Sequence, residues 1–507
     1  MTPLSEIGTL AQLVTRAARQ WPERTAWIFD ETGERFTFAD VDRRSSALAA
    51  ALTERGIVSG DRVAVMLRNQ PEFPLIWLAL AKIGAQLVPV NTNYQEFDGA
   101  HVLRHSGAKL AVAAPEFTGL LGRIGLTDLI TPDELRTGAE PPEFVPVPEL
   151  PVNIQYTSGT TGAPKGCVLP NRYWTTLAVG LATDFPAVGE EDVLLTAQPF
   201  HYIDPQWNVA LGLAAGATLV VLDRFHPSTF WAKVREHGVT WFYCLGLMPT
   251  LLLRQEPSAA DRDHRVRAIC ASAIPHELHA QLEARWGVPW YEAFGMTETG
   301  GDIRVGAADH DETVGTGCIG RPTRDREAMV AGEDGKPLPR RETGELLIRG
   351  IGLMHGYHDD PEATAKAFRD GWFHTGDLAR MDDAGRVYYV GRTKDMIRRS
   401  GENVSADEVE RALLLHPAVR LAAVVAVPDE LRGEEIKAYV VCDGERPEPA
   451  ALAEFCAEKL AYFKVPRFWA FAEELPMTPS ERVAKGELRK VADPRAGSWD
   501  AKAEAWL

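Results

Sequence analysis

The chain reads as an α/β protein, with a large N-terminal domain of layered α/β subdomains plus a β-rich subdomain and a small C-terminal α+β domain. Three observations predict this. Helix-period segments alternate with short apolar runs through the first part of the chain, as in parallel sheets whose strands are joined by helices. From about Gly344 the texture changes to short alternating segments between Gly and Asp turns, as in an antiparallel β-rich unit. At 507 residues the chain exceeds what one hydrophobic core usually serves.

In order along the chain, Thr9 to Gln20 and Ala47 to Arg55 have helical periodicity, while Arg62 to Leu67 and Leu110 to Ala113 are apolar runs of strand length. Further strands are expected at Asp192 to Thr196, Thr218 to Leu222 and Val239 to Cys244, with a helix over Ser228 to Glu236 between them. The segments GELLIRG and RVYYVGR alternate as strands and close the β-rich part near Gly391. Beyond it, Ala406 to Leu415 and Ala450 to Ala461 are helical, and Leu421 to Val427 and Ile436 to Val441 are strands. The domain boundary is placed near Lys394, giving domains 1–393 and 394–507. Substrate sites of parallel sheets lie at the strands' carboxyl ends.

Composition narrows the function classes. A chain 45% hydrophobic and 25% charged is an ordinary globular protein. Its 54 basic and 71 acidic residues, a net charge of −17, disfavour sequence-independent binding to nucleic acid or an anionic membrane. The N-terminal segment lacks a long apolar core behind a basic start, and no apolar run reaches membrane-spanning length. The six cysteines, at 167, 244, 270, 318, 442 and 456, show no CxxC or zinc spacing. The expectation is a cytoplasmic enzyme with reduced thiols, a monomer or homodimer acting on a small molecule.

The strongest local signal is YTSGTTGAPKG, Tyr156 to Gly166, directly after the apolar Val152 and Ile154. A phosphate-binding loop needs this mixture. Gly159, Gly162 and Gly166 allow close backbone approach, Thr157, Ser158, Thr160 and Thr161 supply hydroxyl donors, and Lys165 adds a cation. The segment does not match the Walker pattern GxxxxGK[ST], and alone it is also compatible with a polar Gly-rich connection. In YEAFGMTETGG, Tyr291 to Gly301, Glu298 can coordinate a hard cation and Thr297 can donate to a phosphate. Asp377 of HTGD can accept both hydroxyls of a ribose.

Together with GWFHTGDLAR (371–380), GRTKDMIRRSGENVSADEVE (391–410) and LPMTPSERVAKGELRK, these segments stand in the order of the adenylate-forming superfamily of acyl-CoA ligases, luciferases and peptide-synthetase adenylation domains, and the chain resembles that superfamily over nearly its whole length. The resemblance implies ATP, Mg2+ and coenzyme A. It implies that Glu292, Ala293, Phe294, Gly295 and Thr297 lie at the nucleotide with Phe294 on adenine, that Glu298 holds the metal, and that Asp377 holds the ribose. The stretch Ser272, Ala273, Ile274, Pro275 resembles the family's Gly-Ala-Ala-Pro turn at adenine, with Ser in place of Gly. Arg392 would contact nucleotide, and Lys394 would absorb the rotation of a mobile C-terminal domain between adenylation and thioester formation. Gly401, Glu402 and Asn403 would reach the pantetheine channel.

The last motif departs from the family. Its usual form is Pro-x-Thr-x-x-Gly-Lys, and its lysine orients the carboxylate and α-phosphate. Pro476, Thr478, Glu481 and Arg482 fall on that pattern, so Gly has become Glu and Lys has become Arg. Arg482 keeps the charge but not the shape, and Lys485 is the alternative cation.

His201, in QPFHYIDPQW, falls where the resembling family has an aromatic or histidine gate, and Tyr202, Gln206, Trp207, Gly246, Leu247 and Ala293 are candidate acyl-pocket residues. This lining favours a medium-sized polar or aryl acid over a long fatty chain. The overall texture, including AYFKVPR at 461–467, is similar to acyl-CoA ligases of the carnitine or medium-chain and aryl type. The expected function is ATP-dependent acid activation through an acyl-adenylate, then transfer to CoA. A carrier-protein thiol, an amine or nitrite as acceptor stays open at this point, as does a weakened, non-catalytic nucleotide-binding homologue.

Overall fold

The computed structural model describes residues 3–126, 128–135, 143–157, 164–246, 248–399, 402–429, 432–478 and 482–507. The chain divides into two compact units. The first takes the described residues of Met1–Gly159, Ala163–Ala328 and Ile348–Phe373, and the second those of Met329–Leu347 and His374–Leu507. The expected break at 393/394 is not where compactness divides the chain. Strand Thr343–Gly350 runs from one unit into the other, and the hairpin of Trp372–Met381 with Val387–Arg392 groups from His374 onward with the C-terminal sheet.

Within the first unit, six parallel strands lie in the order Trp290–Met296, Ala268–Ser272, Trp241–Leu245, Val193–Thr196, Thr218–Val221, Thr25–Phe29. Strand Gly300–Arg304 pairs antiparallel at one side and Arg35–Thr37 at the other. A buried cluster including Leu195, Val220, Phe242, Ile269, Trp286 and Trp290 packs about this sheet. A second sheet sets Leu129–Ile130, Leu110–Ala113, Arg62–Met66, Gln86–Pro89 and Pro151–Thr157 parallel, then turns antiparallel into Lys165–Pro170 and Gly356–Tyr357. Its central strands are buried on both faces and read as continuous apolar runs for that reason.

Local chemistry sets the element ends. Thr9 caps helix Leu10–Gln20 by accepting from the Gln12 amide at 3.2 Å. The helix expected to begin at Ala47 begins at Phe38, because Thr37 and Asp40 form a capping box. Its buried face, Phe38, Val41, Ser45, Ala49 and Leu52, keeps helical spacing across the full length. The helix expected to run to Ala461 ends at Ala457.

In the second unit, Val419–Asp429 and Gly433–Cys442 form a long antiparallel pair, with Phe468–Phe471 parallel to the latter and Trp499–Asp500 beyond it. Helices Ala406–Leu414 and Pro449–Ala457 contribute Val409, Leu413, Leu452 and Cys456 to its core, with Trp469 fully buried between them. Among the described residues, no helix is long and apolar enough to cross a membrane.

Candidate active site

The Gly-rich segment is the connection of a hairpin. Thr157 ends the strand Pro151–Thr157 and is the register partner of Lys165, which begins the strand Lys165–Pro170. Ser158, Gly159, Thr160, Thr161 and Gly162 lie outside the described residues. The Lys165 ammonium sits 4.9 Å from the centre of the Tyr357 ring, and the Tyr357 hydroxyl donates to Glu298 at 3.0 Å. One tyrosine thus holds the expected phosphate cation by its ring and the expected metal carboxylate by its hydroxyl. Burial, and then the Glu298 charge, drives the Tyr357 phenol far above its ordinary range, so it stays a donor. Glu298 is itself buried, and its carbonyl accepts from the Met354 amide at 2.9 Å.

Thr297 and Glu298 follow strand Trp290–Met296 in a tight turn, which Asp302 supports from below. Asp302 is fully buried, paired with Arg326 at 2.7 Å and bonded by the Thr299 hydroxyl. Burial outweighs that pairing and pushes Asp302 up to about 6. Gly295 is obligatory here: an added Cβ would overlap the Gly300 carbonyl across the turn. Glu292 points back to the preceding strand's end and accepts from the amides of Ala273, at 2.7 Å, and Ile274, at 3.1 Å. That pins Ala273 in the left-handed region, φ 65°. Ser272, where the resembling family carries Gly, donates to the Ala293 carbonyl at 2.7 Å and pairs with the Tyr243 hydroxyl at 2.7 Å. The hydroxyl is used to tie three neighbouring strands together.

Beside this turn lies a small cavity of about 60 Å³, between the sheet and the helices Asn171–Thr183 and Ile203–Ala215. It reaches Phe294, Gly295 and Ala293 of the expected nucleotide site and Trp207 of the expected acyl pocket. Sequence reasoning missed Asp204, Trp241, Tyr243, Ile303 and Arg304, which also line it. Asp204 had one visible signal, the one charged side chain of the helix, placed in its first turn.

The remaining candidates for the acyl pocket are placed differently. Gln206 is fully buried, donates to Gln155 and to the carbonyls of Phe200 and Tyr202, and accepts from Asn153. It ties helix Ile203–Ala215 and the turn before it to strand Pro151–Thr157, and its amide is fully engaged. The Tyr202 hydroxyl accepts from Asn91 at 3.3 Å. His201 is buried against the Tyr202 ring, and neither of its ring nitrogens has a partner among the described residues. Burial drops its pKa to about 3, which keeps the imidazole neutral. Gly246 is exposed in a turn at φ 53°, and Leu247 lies outside the described residues.

In the second unit, Asp377 and Arg392 are register partners on the hairpin and form an ion pair at 2.7 Å, with Asp377 almost wholly buried. The Thr375 hydroxyl donates to the Leu346 carbonyl on strand Thr343–Gly350 and accepts from the Asp377 amide, which fixes the turn of HTGD. Lys394 is exposed in the short 3-10 turn Thr393–Asp395 that joins two strands. Gly401 lies outside the described residues, and Glu402 and Asn403 fall on strand Glu402–Ser405.

The two alternative cations of the last motif are now distinguishable. Lys485 is enclosed by Glu410 at 2.7 Å, Asp407 at 3.2 Å and Asp395 at 3.8 Å, and its side chain is 14% exposed. Those carboxylates hold its ammonium charged despite its burial, which alone would lower its pKa. Arg482 is exposed on a turn closed by Thr478, whose hydroxyl accepts the Arg482 amide at 3.1 Å.

Known proteins share both the sequence and this architecture. A family model described as AMP-binding enzyme matches residues 14–358, and one described as AMP-binding enzyme C-terminal domain matches 408–482. The chain is 34% identical over 500 residues to a sulfoacetate–CoA ligase of Cupriavidus necator, covering 95% of this chain and 97% of that protein. It is 34% identical over 513 residues to a crotonobetaine/carnitine–CoA ligase of Salmonella arizonae, covering 95% and 98%. Among solved structures, it is similar to the o-succinylbenzoate CoA synthetase of Bacillus subtilis in complex with its acyl-adenylate intermediate, with a TM-score of 0.87, 27% identity and coverage of 95% and 98%. The same synthetase bound to ATP and a magnesium ion superposes with a TM-score of 0.86, at 27% identity and with coverage of 94% and 99%.

Proposed function

The chain belongs to the AMP-binding enzyme family, and from that premise we propose which of its residues carry the family's reaction. It is an ATP-dependent acid–thiol ligase that activates a carboxylic acid as its acyl-adenylate and passes the acyl group to coenzyme A. A carboxylate oxygen attacks the α-phosphorus, and the bond to pyrophosphate breaks. The CoA sulfur then attacks the acyl carbon, the bond to AMP breaks, and the thiol proton passes to solvent.

The observation that carries the assignment is the Tyr357-centred pairing of Lys165 with Glu298 at the end of the hairpin. Lys165 neutralises phosphate charge that builds on the leaving side, and Thr297 donates to the phosphate. Glu298 offers the hard carboxylate oxygen that Mg2+ prefers, and the bound ion would supply further neutralisation of the phosphates. The turn Ser272–Pro275 and Phe294 take the adenine, and Asp377 the ribose, with Arg392 orienting that carboxylate. His201 acts as a neutral gate.

Arg482 is the cation that contacts carboxylate and α-phosphate. Lys485 already carries three carboxylates, so withdrawing it would strand buried negative charge. A planar guanidinium can clamp an oxygen pair bidentately, so the change from Lys alters geometry rather than abolishing the function. The C-terminal region from Lys394 onward rotates between the two half-reactions. The protein is a cytoplasmic monomer or homodimer.

The test is acid-dependent pyrophosphate release from Mg-ATP. Arg482→Ala and Glu298→Gln are each expected to lower the adenylation rate at least 100-fold with an unchanged melting temperature, whereas Lys485→Ala is expected to lower the melting temperature, as loss of one partner from a buried ion cluster costs about 3–5 kcal/mol. Full adenylation by Arg482→Ala would overturn its assignment.

A further inference from the structure

Tyr357 holds the Lys165 ammonium, but the Lys165 backbone is held from another side. The ladder of the hairpin ends at the pair Thr157 and Lys165, so the Pro164 carbonyl falls beyond it. His101 Nε2 donates to that carbonyl at 3.0 Å. The Pro164 carbonyl and the Lys165 amide belong to one planar peptide unit, so the bond fixes the plane from which the Lys165 side chain springs. One turn further along the helix Glu96–Ser106, His105 Nδ1 lies 2.8 Å from the hydroxyl of Tyr156, on the hairpin's other strand. Burial drives the Tyr156 phenol far above its ordinary range and lowers the His105 imidazole, so the phenol donates and the neutral ring accepts. Residues four apart share one helix face, and the two imidazoles stack with centres 5.2 Å apart. His358 adds a third contact: its ring packs edge-on to His105 at 5.4 Å, and its amide donates to the Gly166 carbonyl at 2.7 Å.

We propose that His101 and His105 are positioning residues for the triphosphate of ATP: one face of helix Glu96–Ser106 clamps both strands of the hairpin at its phosphate end and holds Lys165 where the leaving phosphates are neutralised. The inference rests on the reading of Lys165 as the phosphate cation and deepens it. The hairpin closes without the histidines, because its ladder runs from Pro151 to Thr157 against Lys165 to Pro170 and its strands bury Ile154 and Cys167. A histidine pair that served stability alone would therefore affect every ligand of the folded protein alike, whereas a clamp on the Lys165 end acts on the ligand whose β- and γ-phosphates reach that lysine.

The experiment measures binding of Mg-ATP and of AMP by titration calorimetry to the full-length wild type, to His101→Ala and His105→Ala, and to the conservative variants His101→Gln and His105→Asn. Gln carries an amide N–H near the place of Nε2, and Asn an amide oxygen near the place of Nδ1, so each can remake the bond in question. Each alanine variant is expected to weaken Mg-ATP at least about fivefold, the worth of one hydrogen bond, and to leave AMP within about twofold. The Gln and Asn variants are expected to return Mg-ATP to within about twofold of the wild type. Because both nucleotides are titrated into the same preparation, a loss of folded protein lowers both signals and does not mimic the selective effect. Unchanged Mg-ATP affinity in either alanine variant would remove that residue from the clamp. An equal loss for both nucleotides, or no rescue by the conservative variants, would overturn the inference and leave the ligase reading standing. Binding of neither nucleotide by the wild type would overturn the placing of nucleotide on these residues and the inference with it.

Discussion

A tyrosine distant in sequence from both motifs sets the positions of Lys165 and Glu298, the proposed phosphate cation and metal carboxylate. Tyr357 lies 59 positions from Glu298, and nothing in its own neighbourhood, HGYHDD, marks it as part of an ATP site. Likewise the sequence left Arg482 and Lys485 as alternatives, and only the enclosure of Lys485 by three carboxylates from two other segments distinguishes their surroundings. Asp204 shows what burial does to a single group. Its folded pKa, about 7, lies above the ordinary 3.8, so the folded state binds more protons than the unfolded chain between those values. Its contribution is therefore nil below about 3.8, grows more destabilising as pH rises from there to about 7, and levels off above that at on the order of 4 kcal/mol. The charged or titratable groups near it are Tyr243 and Cys244, with Asp184, Arg304, Asp325 and Arg326 elsewhere on the cavity wall. Asp204→Asn is expected to melt above the wild type, with a gap that widens from pH 5 to pH 8.5 in thermal scans of the ligand-free protein. A gap that is constant across that range would show that Asp204 has a partner.

At the scale of elements, the turn Ser272–Pro275 is held from outside by Glu292. Its resemblance to the family's turn was legible, but not its support, because the bond crosses from one parallel strand to the next. Glu292→Ala removes the acceptor for two amides, a loss of about 1–3 kcal/mol for each that is buried, and is expected to raise the KM for ATP roughly tenfold while kcat changes less. Ala273→Gly tests the strain from the other side: at φ 65° a Cβ costs about 1 kcal/mol, so the variant is expected to be more stable by about that amount in denaturant titration. Loss of stability in Ala273→Gly would mean the turn is not strained. Helix beginnings were read well where a cap stood beside the apolar run, as at Thr9, and badly where the apolar period weakened, as over Phe38 to Ser46. There the capping box, not periodicity, fixes the start.

For the whole molecule, the assigned chemistry needs two half-reactions from one chain, and the exposed Lys394, in a three-residue turn between two strands, is the proposed pivot. Lys394→Pro fixes φ at that residue. Pyrophosphate release is expected to persist while acyl-CoA formation falls at least tenfold, and an equal loss of both would remove Lys394 as the pivot. By itself the sequence determined the α/β class and most strand positions, because these depend on short-range periodicity, and it singled out Lys165, Glu298, Asp377 and Arg392 as candidates from motifs contiguous in the chain. Only the tertiary structure decided that Gln206 is a strut rather than a pocket wall, that Lys485 is bound up in carboxylates, and that Asp204 stands unpaired in the cavity. Each of those facts is a contact, or the lack of one, between segments far apart in sequence, and burial and pairing are properties of the packed chain that no local pattern encodes.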